Sequence, residues 1–282
     1  MKPVTSGAVS PMSEHTHTPG HHDGEVEDHD RGLPFDLQNT RHRRAFLGLL
    51  GAGAVTAGGA VLLGASGSAA AAVAEIPTET AGPYPGDGSN GPDVLLASGV
   101  VRSDIRRSFG TSTTRARGQK FEFTLTLVDT DTLKPLKGLA VYAWHANRDG
   151  EYSMYSAAIA GENYLRGVQV SDAKGRVTFK SIYPACYDGR WPHIHFQVFA
   201  DLATATSSGT ALVTSQVALP RTTSMKVYST VAGYEQSVTN LNRVSIGSDM
   251  VFGDDGGVRE LATIKGSLKK GYRAKLRVPV DV

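Results

Sequence analysis

The sequence predicts an all-β fold, a β-sandwich of mostly antiparallel strands with long loops, in a single domain of about two hundred residues. Three observations predict it. KFEFTLTLVDT alternates strictly between apolar and polar residues. Further short apolar or alternating runs recur along the chain with turn chemistry between them. No stretch shows a sustained helical period with caps.

The first strand is expected from Lys120 onward, with Phe121, Phe123, Leu125 and Leu127 on one face and Glu122, Thr124 and Thr126 on the other. GLAVYAWHA, RGVQVSD, GRVTFKSIY, HIHFQVFA and YRAKLRVPV follow as further strands. RDGE, DAKG, YDGR and GDDGG separate them with residues suited to tight turns.

Composition agrees with a soluble globular protein: 282 residues, 40% apolar, 20% charged and a net charge of +2. Lysines and arginines are scattered singly or in pairs, so no basic stripe is expected and no nucleic acid is expected as a partner. The single cysteine, Cys186, leaves no intramolecular disulfide, and stability must come from the core.

Three segments follow from composition. Residues 1–39 read as a disordered, polar, His-rich leader. Residues 40–74 place Arg43 and Arg44 before a weakly apolar Gly/Ala run that ends in small residues near Ala72 or Ala74. This pattern resembles a twin-arginine (Tat) signal peptide, removed on export, more than a membrane anchor of the same length. That route carries folded proteins and suits one that loads a cofactor first, so a secreted or periplasmic protein is expected, with no stable membrane anchor. Residues 75–282 form the sandwich domain.

Six of the nine histidines lie at or before position 42, leaving His145, His193 and His195. In PACYDGRWPHIHFQV, a strand would send His193 and His195 to one face and Ile194, Phe196 and Val198 to the other, where a core would take them. Two such imidazoles can converge on one metal ion. The alternatives are two polar residues on a solvated face, or a zinc site completed by Cys186 or His145. Tyr187 precedes the pair across a turn holding Gly189 and Pro192, and Tyr152 follows a DG turn. A phenol of pKa about 10 ligates only a strongly Lewis-acidic ion such as Fe(III). Two phenolates and two imidazoles make a hard, anionic set that favours ferric iron.

DGEYSMY, NYLRGVQVSDAKGRVTFKSIYPACYDGRWPHIHFQV and TAGPYPGDG together resemble the intradiol ring-cleavage dioxygenases, the family of protocatechuate 3,4-dioxygenase and catechol 1,2-dioxygenase. The resemblance covers most of residues 80–200. It implies Tyr152, Tyr187, His193 and His195 as ligands of a non-haem Fe(III). Tyr187, released from the metal, is implied as a base. Arg190 is implied beside the substrate as a stabiliser of developing charge, and Tyr84 near the site's mouth. Trp191, next to Arg190, is a further substrate-contact candidate. The implied reaction cleaves a catechol-type ring between its two hydroxyl-bearing carbons with O2, giving a cis,cis-muconate-type diacid. The sequence departs from the family at Ala185, where glycine is common, and at Cys186. Ala185 requires a negative φ, and Cys186 reads as a small packed residue. His145 and Trp144 read as packed residues, and Tyr155 and Tyr164 as structural or pocket-lining. The alternative function is an exported binding module for aromatic polymer or carbohydrate without catalysis. The assembly expected is a monomer or homodimer.

Overall fold

Strict alternation in Lys120–Asp129 produces a strand, β1, whose inward residues Phe121, Phe123, Leu125 and Leu127 are all fully buried. A computed structural model describes residues 73–207 and 209–282. The leader and nearly all of the twin-arginine segment lie outside the described residues.

Seven more strands follow: β2 (Ala140–Trp144), β3 (Arg166–Val170), β4 (Arg176–Ile182), β5 (His193–Phe199), β6 (Val213–Ala218), β7 (Thr263–Ser267) and β8 (Gly271–Val280). They form two four-stranded sheets, ordered β4-β1-β8-β7 and β3-β2-β5-β6. Within the sheets every pairing is antiparallel except β1 with β8. The sandwich core lies between the sheets, where Phe123, Phe179, Val141, Phe196, Ile194, Val217 and Leu276 pack together. Residues 100–105 close one side, since Val101 bridges to Val168 of β3 and Asp104 to Lys180 of β4.

Three features depart from the sequence expectation. Strands β6 and β7 were not legible: Ser215 and Gln216 interrupt the apolar run of β6, and β7 is a short edge strand carrying Gly266. Helices are present despite the weak helical signal: α1 (Leu202–Ala205), α2 (Arg221–Tyr228) and α3 (Glu235–Arg243). Neither α2 nor α3 has a side-chain N-cap, and both are too short to be stable without tertiary packing. Cations scattered in sequence also gather in space, because alternation along β8 sends Arg273, Lys275 and Arg277 to one exposed face. Among the described residues, no helix is long and apolar enough to cross a membrane.

The second sheet is buried on both faces, which places the site. Ala140, Tyr142 and Trp144 of β2 turn away from the inter-sheet core into a second cluster with Val94, Leu95 and Tyr152. The loop after β2 and the segment from Ile76 to Leu95 supply its cover. His193 and His195 therefore face a covered interior, and the solvated-face alternative does not hold: they are 3% and 2% exposed.

Candidate metal centre

Register on β5 puts His193, His195 and Gln197 on the covered face, while Ile194, Phe196 and Val198 enter the core as expected. Each histidine is oriented by its surroundings. His193 Nδ1 lies 2.5 Å from the Trp191 carbonyl, which can only accept, so Nδ1 carries the proton and Nε2 presents a lone pair. His195 pairs across the sheet with Trp144, whose indole lies flat against the imidazole, centroids 4.9 Å apart and 7° from parallel.

Two loops bring in the phenols. Asn147 Oδ1 accepts from the Asp149 and Glu151 amides, forming the turn before Tyr152, and the Tyr152 amide donates to Ser156 Oγ. Tyr187 is held from behind by the helices. Tyr234 donates to the Tyr183 carbonyl, Tyr228 to the Pro184 carbonyl and Asn240 to the Cys186 carbonyl, while Ser237 Oγ accepts from the Cys186 amide. Gly150 (φ +89°) joins the two loops: a Cβ there would lie 3.3 Å from Tyr187 Cβ.

The four donor atoms converge. Nε2 of His193 and His195 are 3.1 Å apart. Tyr152 Oη lies 3.4 Å from His193 Nε2, 3.2 Å from His195 Nε2 and 3.5 Å from Tyr187 Oη, and Tyr187 Oη lies 3.2 Å from His193 Nε2. N and O donors on a metal at about 2.0–2.2 Å stand about 3.0–3.5 Å from one another, so these separations match the edges of a coordination shell. The protonation states agree. Burial first, then the Arg190 charge, holds His193 down to about 3, and burial with His193 holds His195 well below its ordinary value, so both imidazoles are neutral. The two Nε2 atoms face each other at 3.1 Å, close enough to ligate a single cation. Burial pushes the Tyr152 phenol well above its ordinary value, so its ionisation requires a strongly positive neighbour. The donor set fits a Lewis-acidic metal.

Zinc lacks its third donor. Cys186 Sγ donates to the Arg190 carbonyl, and burial raises its thiol to about 12. Both ring nitrogens of His145 are engaged, by the Ala146 carbonyl and by Ser181 Oγ. No group of three His, Cys, Asp or Glu side chains forms a metal site among the described residues. Ala185 does not have a positive φ, so replacing the common glycine introduces no left-handed strain.

Arg190 is buried beside the cluster. Its Nε donates to Asp249 Oδ2 at 3.0 Å and its Nη2 to Gln216 Oε1 at 2.8 Å. Burial alone would raise the Asp249 carboxyl, but the Arg190 charge and the Trp191 amide hold it below its ordinary value. The Trp191 ring packs in the inter-sheet core with its Nε1 donating to the Leu219 carbonyl, so its link to the centre runs through its backbone. Tyr84 packs its ring on Tyr152 and on Tyr155, both at 5.1 Å. Gly82 (φ +71°) passes so close that a Cβ would sit 3.3 Å from His195 Cε1.

Three contributors were not singled out from sequence. Arg166, fully buried, donates to the Tyr84, Pro85 and Ser153 carbonyls, to Ser153 Oγ and to Tyr142 Oη. Gln216 and Asp249 hold Arg190. An arginine opening an apolar strand was the available signal for Arg166; Gln216 and Asp249 carried none.

A family model described as Dioxygenase matches residues 110–214. The chain is 32% identical over 103 residues to the chlorocatechol 1,2-dioxygenase of Rhodococcus opacus, a stretch spanning 30% of this chain and 40% of that relative. Among solved structures, it is similar to an intradiol ring-cleavage dioxygenase from Tetranychus urticae. That match has a TM-score of 0.59 and 26% identity, over 74% of this chain and 95% of the other. The motif order, the two-sheet fold and these matches agree in their likeness to the intradiol ring-cleavage dioxygenases.

Proposed function

We propose that this protein is a non-haem Fe(III) enzyme that cleaves a catechol-type ring between its two hydroxyl-bearing carbons with O2, giving a cis,cis-muconate-type diacid. The observation that carries the reading is the convergence of Tyr152 Oη, Tyr187 Oη, His193 Nε2 and His195 Nε2, each within 3.5 Å of at least two of the others. These four residues would hold the metal. Bound there, ferric iron supplies the Lewis acidity that ionises phenols near neutral pH and activates a catecholate ring toward O2.

The remaining roles belong to the chain. Tyr187, the less enclosed phenol, is the base that takes a proton from a substrate hydroxyl. Arg190, its charge fixed by Asp249 and Gln216, stabilises negative charge that develops on the ring oxygens, more strongly because water is excluded. Tyr84, packed on Tyr152, forms part of the substrate wall. The match to a chlorocatechol 1,2-dioxygenase supports a small aromatic diol as the substrate class. Export by the twin-arginine route belongs to the same proposal, and replacing Arg43 and Arg44 with lysine is expected to abolish it.

The test is the visible spectrum and iron content of the purified protein before and after anaerobic addition of catechol. A coloured, iron-containing protein whose band shifts with catechol is expected. A protein that stays colourless after iron reconstitution would overturn the reading.

A further inference from the structure

The outer face of the first sheet, on the opposite side of the sandwich from the metal centre, is a cationic plane. Alternation and register set its side chains in rows. One row runs Lys180, Glu122, Arg273, Lys265; the next Thr178, Thr124, Lys275, Thr263; the third Arg176, Thr126, Arg277. Six cations thus share the grid with one carboxylate, and all six are exposed. Glu122 meets Arg273 at 3.5 Å and Asp172 meets Arg176 at 2.8 Å. Among the described residues no ion pair is recorded for Lys180, Lys265, Lys275 or Arg277.

Folding alone does not account for this arrangement. Successive outward cations on β8 stand about 6.5–7 Å apart, inside the screening length of about 8 Å at physiological salt, so they repel one another. Two recesses open on the plane. One of about 220 Å3 is lined by Lys120, Lys180, Lys270 and Arg273, with Glu122 and with Arg106, whose guanidinium is already paired with Asp104. The other, of about 670 Å3, brings Lys275, Arg277 and Arg259, the last 3.9 Å from Asp255, beside Val258 and Leu261.

The geometry points to a docking surface for a linear polyuronate, an anionic polysaccharide with a carboxylate and hydroxyls on every sugar. The cations complement the carboxylates, and the threonines between them complement the hydroxyls. Nucleic acid fits less well. Among the described residues the exposed large apolar side chains are all aliphatic, so they offer bases no stacking platform, and a flat sheet face does not enter a groove. This inference stands apart from ring cleavage, because no residue of the plane belongs to the metal centre.

The test measures binding of the full chain to polygalacturonate, with dextran and a single-stranded DNA as comparison polymers. Binding to polygalacturonate but not to dextran is expected, weakening about tenfold or more as salt rises from about 0.02 M to about 0.2 M. Lys275→Glu combined with Arg277→Glu should weaken it about tenfold, whereas Lys226→Glu with Arg243→Glu, an equal charge change on the helices, should alter it by no more than about twofold. Both double variants should keep the wild-type thermal midpoint and catechol turnover. No binding at low salt, equal losses in the two variants, or tighter binding to the DNA would each overturn the proposal.

Discussion

Arg190 and Asp249 form a buried ion pair, Nε to Oδ2 at 3.0 Å, with side chains 4% and 0% exposed. The same carboxylate accepts from the amides of Trp191, Val251 and Phe252, so it anchors both the arginine and the backbone leading to His193. Asp249→Ala leaves a buried guanidinium without its counter-charge and is expected to cost about 3–5 kcal/mol, measured by urea denaturation. Asp249→Asn, which keeps an acceptor, should cost less, retain iron, and lower kcat/KM for catechol. Unchanged turnover in Asp249→Asn would remove its positioning role.

Tyr187→Phe and Tyr152→Phe each delete one oxygen from the donor cluster. Weaker visible absorption and lower iron content are expected from both, read by absorption spectroscopy and metal analysis. Tyr152→Phe should have the larger effect, because Tyr152 Oη lies near all three other donor atoms. A wild-type spectrum in either variant would exclude that residue as a ligand.

Glu260 predicts the pH dependence of stability. It is fully buried, Oε1 accepts a long bond from Ser215 Oγ at 3.3 Å, and Oε2 has no recorded hydrogen-bond partner. Burial, then Glu79 and Asp255, raises its carboxyl from 4.5 to about 9. The folded protein therefore keeps a proton that the unfolded chain releases. Its contribution is fully present below pH 4.5 and is lost progressively as pH rises toward about 9. Glu260→Gln should flatten the fall in thermal midpoint between pH 6 and pH 9 and raise the midpoint at the alkaline end by a few degrees, about 2–4 °C per kcal/mol. Parallel profiles for wild type and variant would refute the assignment.

Arg166 ties the Tyr84–Pro85 segment to the loop carrying Tyr152. Arg166→Met strands several buried acceptors and is expected to cost about 3 kcal/mol or more. Arg166→Lys, which lacks the planar fork, should recover only part of that loss and should leave iron less tightly held, checked by chelator release. Full recovery by lysine would mean that charge alone suffices.

Periodicity was the most legible part of this sequence. Six of the eight strands follow from short apolar or alternating runs, and the inward set Phe121, Phe123, Leu125 and Leu127 and the division of β5 into core residues and histidines follow from a two-residue repeat, which is a local property of the backbone. The metal-site residues could be named as candidates because DGEYSMY and YDGRWPHIH carry unusual residue types at fixed spacing. Edge strand β7 and helices α2 and α3 were not legible, because their stability comes from neighbours rather than from their own pattern.

Only tertiary structure decided the rest. Convergence of Tyr152, Tyr187, His193 and His195 depends on two loops folding over one sheet face. Selection of Asp249 and Gln216 as partners of Arg190 joins residues 59 and 26 positions away, which no local pattern encodes. The cationic plane arises because strand register stacks charges that are far apart in the chain. Alternation along a strand is written in adjacent residues, whereas the meeting of side chains across sheets and loops is set by long-range packing.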